Sequence, residues 1–181
     1  KISAYFTNFD IFHIFQKSKL LLLFLFKNKI LLPTVEIYSF IINNKKYNES
    51  KYIEYFYPEF EQYMEENDRK SIRDKIQELK ESTSNDEFNQ KREKGVNCNY
   101  ICNLIQNDSI IDFVTYVEKN NISQSTIIQP SIYETNSYLA NRSLTLIDYS
   151  AFYGSIQIFR YLYQKNFICD QSIWLYAIHG K

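Results

Sequence analysis

Cys98 and Cys102, four residues apart, are the pair in this chain whose type and spacing could do chemistry. On a helix both thiols would share a face, where thiolates can hold a metal or cycle through oxidation. A structural metal site needs about four ligands. The other candidates, His13, Cys169 and His179, are distant in sequence, and no second local pair completes a set. The two thiols are therefore expected to pack as small apolar groups, with a Cys/His metal or redox protein as the lesser alternative. His179, just before a glycine, reads as a surface or helix-end histidine. The acidic pairs Glu65-Glu66 and Asp86-Glu87 stand in charge-dense segments and read as solvated faces or helix N-terminal charges. Three glycines cannot make a phosphate-binding loop. The run Lys91-Arg92-Glu93-Lys94 mixes signs and reads as a solvated helix end. No catalytic, metal or cofactor site emerges, so the expectation is a protein that is not an enzyme and needs no cofactor.

The composition narrows the class. With 21 acidic and 21 basic residues the chain has no net charge, which argues against a general nucleic-acid or anionic-membrane surface. Three glycines and three prolines among 181 residues leave few tight turns, favouring helices over a sandwich or barrel. Three cysteines do not make a disulfide framework, and a reducing, cytoplasmic setting is expected. The run Leu20–Phe26 is seven residues long and bounded by Lys17, Lys19, Lys27 and Lys29, whereas a spanning helix needs about 20 apolar residues. It is expected to be a helix buried on most sides, with a membrane-associated segment as the lesser alternative. The expected partner is an unidentified protein, with no nucleic acid and no membrane.

The elements that would carry these residues are helices. Asn8 and Asp10 are placed to cap a helix holding Ile11, Phe12, Ile14 and Phe15. A second helix is expected over Lys19–Lys27, and a third with Pro33 in its first turn, carrying Val35, Tyr38, Phe40, Ile41 and Ile42. Pro58 predicts a break in the aromatic stretch 51–66. Ile72, Ile76 and Leu79 form a narrow apolar stripe within the charged stretch 61–94, which is expected to be an insertion. Ser84 with Glu87 fits a capping box. Helices are expected over 100–105 and 109–119, a loop over 120–142, and a helix pair over 145–166. The chain is thus divided into an irregular helical region, 1–95, and a repeat region, 96–181.

The repeat is visible on alignment. Asp108–Asn120 and Gly154–Asn166 superimpose without gaps, with coincidences at Ser109/Ser155, Ile110/Ile156, Phe113/Phe159, Lys119/Lys165 and Asn120/Asn166. Ala151-x-x-Gly154 returns as Ala177-x-x-Gly180. This pattern resembles the ankyrin repeat, which opens T-P-L-H-x-A-A-x-x-G and continues with a V-x-x-L-L helix. Thr145, Ile147, Ala151 and Gly154 match the first part, and Ile158, Phe159, Leu162 and Tyr163 suit the second. Leu146, Asp148 and Asn166 stand where the pattern has Pro, His and Gly. More specifically, the chain is similar to the divergent domain of unknown function that precedes ankyrin arrays in protist ankyrin-repeat proteins. The resemblance implies an all-α, stacked helix-pair (ankyrin-like) solenoid with irregular N-terminal helices. It also implies a protein-interaction scaffold. The alternative is a structural N-terminal cap of a longer array with no partner of its own. The chain starts without Met and stops within a repeat, so further ankyrin repeats are expected C-terminal in the parent chain.

In such a stack the first helices and the loops form the contact face. Candidate contact residues are Tyr133, Tyr138, Asp148, Tyr149 and Phe167, from loops 124–142 and 167–172 and the adjoining helix. Structural positions of the repeat are Ala151 and Ala177, where helices approach closely, and Gly154 and Gly180, where φ is expected to be positive. Phe159 and Leu162 complete the set, with Trp174 packing over them as core.

Overall fold

The computed structural model describes residues 5–45, 47, 51–78, 84–140, 142–167 and 173–180. Leu79, Cys169 and the link 168–172 lie outside them, as does Lys181. The described chain is mostly helical, with one two-stranded sheet. It divides into two compact units, Lys1–Val96 and Asn97–Lys181.

The first unit opens with helices α1, Asn8–Phe15, α2, Lys19–Lys27, and α3, Val35–Ile42. The α1 cap is Thr7, whose hydroxyl accepts from the Asp10 N–H while the Asp10 carboxylate accepts from the Thr7 N–H and hydroxyl. Asp10 therefore acts as expected, but from the third helical position, with Asn8 already inside the helix. Thr34 caps α3, which puts Pro33 just before it. The aromatic stretch forms two single turns, α4, Tyr52–Tyr55, and α5, Tyr57–Phe60, separated at Phe56. Pro58 sits in the first turn of α5, where a missing N–H costs nothing. A 3-10 turn, Glu61–Tyr63, leads into α6, Glu66–Glu78, and then α7, Asn85–Lys94.

The core of this unit is aromatic. Phe26, Phe56 and Phe60 meet edge to face, with centroids 5.6–6.4 Å apart. Lys19 is turned inward, its ammonium 5.4 Å and 5.2 Å from the Tyr52 and Tyr55 rings. Arg92 corrects the expectation of a solvated run at 91–94: it is 2% exposed. Its two terminal nitrogens grip Glu59 at 2.6 Å and 3.1 Å, and also bond the Tyr55 carbonyl and Asn89 Oδ1. This ion pair ties α7 to the aromatic turns, so the end of the charged stretch is anchored.

The second unit contains α8, Tyr100–Gln106, and α9, Ile110–Lys119. A long connection closed by strands β1, Ile127–Ile128, and β2, Leu144–Thr145, follows. The strands are antiparallel, pairing Ile127 with Thr145 and Ile128 with Leu144. Then come α10, Leu146–Tyr153, α11, Ile156–Gln164, and α12, Ile173–His179. Helix α10 lies against α8, α11 and α12. Thr145 and Asp148 repeat the capping box of Thr7 and Asp10.

Five helix ends share one design. After α2, α8, α9, α10 and α11 the residue with positive φ is Lys29, Asp108, Asn121, Gly154 and Asn166. In each case the following N–H returns to the carbonyl five residues back: Ile30 to Leu25, Ser109 to Leu104, Ile122 to Val117, Ser155 to Ser150 and Phe167 to Leu162. This is the Schellman arrangement. It corrects the alignment by one residue at the helix end: Asn121, not Asn120, takes the place of Asn166. The reason is length, since α9 has ten residues and α11 nine.

Candidate functional site

The candidate contact residues fall on the connection between the two strands, on α10 and, for Phe167, just after α11. Four of the five are buried, which corrects their assignment to an open surface. Tyr133 and Tyr149 are sealed in the interior, Asp148 is taken up by its capping box, and Phe167 packs on the second core. Tyr138 alone keeps an accessible ring, stacked 4.0 Å from the His179 ring with the Arg142 guanidinium 5.8 Å away.

A buried polar network explains the inward turn. Glu134 accepts from the Asn97 and Asn136 N–H groups, Asn97 Nδ2 donates to the Gln129 carbonyl, and Asn136 Oδ1 accepts from the Tyr138 N–H. Gln106 Nε2 bridges the Asn97 carbonyl and the Tyr149 hydroxyl at 2.8 Å each. The connection thus has the fixed shape of a packed element and carries Ile132, Tyr133 and Leu139 into the interior. Burial, then the Cys102 thiol and the Tyr153 phenol, push the Tyr149 phenol far above its ordinary value. It stays protonated and serves as a hydrogen-bonding group.

The structural positions divide. Gly154 has φ 65°, the left-handed value expected, and Asn166 has φ 58°. Leu162 is buried and Phe159 half-buried. Ala151 is half-buried between helices, but Ala177 is exposed, so no helix lies across it here. Gly180 meets a different need from the one expected. A Cβ there would collide with the Phe152 carbonyl, so the absence of a side chain permits a close approach. Trp174 corrects its core assignment: it is 71% exposed, and Ile173 and Tyr176 are the buried residues of α12.

The resulting surface is an apolar helix face. Trp174, Leu175 and Ile178, the last 73% exposed, point outward from a helix without Asp, Glu, Lys or Arg. Cys102 is fully buried and Cys98 half-buried. Among the described residues no three His, Cys, Asp or Glu side chains are grouped to hold a metal ion.

Sequence reading missed one link between the helix pairs. The Asp108 carboxylate, in the turn after α8, accepts from the Gln157 and Ile158 N–H groups at 3.1 Å and 3.0 Å, capping α11 from the neighbouring pair. Beside it Ser155 Oγ donates to the Ile105 carbonyl. The available signal was an Asp occupying the slot that holds Gly154 in the later copy.

No helix among the described residues is long and apolar enough to cross a membrane. No protein-family model matches the chain, nor does any curated protein or solved structure match it significantly.

Proposed function

We propose that this chain is a protein-interaction scaffold of stacked, ankyrin-like helix pairs, with no catalytic role. The exposed apolar face of α12 carries the reading. Ile173 and Tyr176 already pack inward, so Trp174, Leu175 and Ile178 are surplus to the fold's own core. Large uncharged side chains clustered on one short helix suit another protein's apolar helix better than water. The capped pairs, the recurring Schellman ends and the Asp108 link support a stacked arrangement. The 46-residue interval between copies is compatible with repeats of about 33 residues because the extra chain forms the 129–143 connection closed by the two strands.

A second reading draws on the same face: the chain closes the end of a longer ankyrin array, and the next helix pair covers α12. A photo-crosslinking residue at position 174, introduced into the parent protein in cells, separates the two. Crosslinking to a second polypeptide, lost on Ile178→Asp, supports the scaffold. Crosslinking within the parent chain alone supports the cap. No crosslink above that at the exposed control position Glu118 overturns both.

A further inference from the structure

We propose that the outward face of α2 docks on an anionic membrane surface, lying along the interface without crossing it. Between Asp10 and Glu36 the chain carries Lys17, Lys19, Lys27 and Lys29 and no acidic residue, in a molecule of zero net charge. Helix α2 uses Leu22, Leu23, Leu25 and Phe26 for the core and turns Lys19 inward. That leaves Leu20, Leu21 and Phe24 in solvent, Phe24 being 55% exposed. At about 3.6 residues per turn these three share one face, with Lys17 before them and Lys27 after them. The chain leaves α2 through Lys29 and the exposed Ile30. Phe24 and the leucines would enter the headgroup boundary while the stems of the exposed Lys17 and Lys29 let their ammonium groups reach lipid phosphates.

Charge selects this occupant over a protein groove. Glu93 is paired with Lys27, and Asp10 is held in the Thr7 capping box. Lys17 and Lys29 are exposed. The face thus combines apolar bulk with a net positive rim, the composition that draws a surface helix to anionic lipid. The expectation of no membrane contact rested on the short length of the run, which bears on spanning, and on the zero net charge of the chain, which averages over a segment, 11–35, that has four lysines and no acidic residue.

The test is co-sedimentation of the full chain with phosphatidylcholine vesicles, with and without about 30 mol % phosphatidylserine. Binding is expected with phosphatidylserine and should fall when salt is raised from about 0.1 to 0.5 M. Phe24→Asp should weaken it by at least about ten-fold, and Lys17→Glu with Lys29→Glu should do the same. Circular dichroism melting checks that each variant is folded, and Phe24→Ser replaces Phe24→Asp should the latter melt early. Failure to bind anionic vesicles overturns the proposal, as does binding indifferent to the Phe24 variants. Self-association that Phe24→Asp abolishes, without vesicle binding, overturns it in favour of a protein contact.

Discussion

At the scale of single residues, three side chains carry disproportionate weight. Asp108 sits in a left-handed turn, yet its carboxylate satisfies two N–H groups of the next pair. Asp108→Ala should destabilise the protein by about 1–2 kcal/mol, the range for a lost N-cap, in urea unfolding. Arg92 should be costlier. Removing it strands the Glu59 carboxylate, so Arg92→Met should lose about 3–5 kcal/mol, whereas Arg92→Met with Glu59→Leu should recover most of that. A double-mutant cycle reads the difference. Asp10 titrates below its ordinary value, chiefly because Thr7 donates through its hydroxyl and then its N–H. A carboxyl with a lowered folded pKa stabilises the fold above its unfolded pKa, and that contribution is lost as pH falls through the folded value. Thr7→Val should therefore raise the Asp10 midpoint seen by carboxyl NMR titration.

At the scale of elements, helix ends do much of the organising. Asn28, Asn43, Asn107 and Asn120 each send their side-chain amide to the carbonyl four residues earlier, at 2.8 Å. Each of these carbonyls also accepts the backbone N–H of the same asparagine, so the side chain adds a second hydrogen bond at the helix end. Gly154→Val should cost about 1–3 kcal/mol because a β-branched residue resists the left-handed region. Gly180→Ala acts through contact: its methyl group meets the Phe152 carbonyl, and the end of α12 must move away from α10. A drop in melting temperature with greater hydrogen exchange over 173–180 is the expected sign. Unchanged exchange there would contradict the close approach.

At the scale of the whole molecule, exposed apolar side chains recur along the described chain, and α2 and α12 gather three large ones each. Trp174 is the sole tryptophan, so its fluorescence reports one of them directly. Its emission should resemble that of a solvated indole, open to acrylamide quenching in the free chain. A blue shift and protection should accompany occupation of α12, while Ile178→Asp should suppress that change. Vesicle binding through α2 is read separately by co-sedimentation.

Local chemistry made much of the helical layout legible in the sequence. Lys19–Lys27 follows from its leucine run, the break at Phe56 from Pro58, the cap at Ser84 from its spacing to Glu87, and the turn at Gly154 from a residue free to take positive φ. Each depends on neighbours within a turn or two. The candidate site was far less legible. Tyrosine suits an interface and a core equally, and only the long-range bonds of Asn97 and Glu134 drew Tyr133 inward. Arg92 reads as solvent-facing until Glu59, 33 positions away, arrives beside it. Trp174 reads as core until Ile173 and Tyr176 take the inward face. Backbone chemistry within a few residues set where helices start and stop, and only tertiary packing decided which aromatic and charged side chains lost their water.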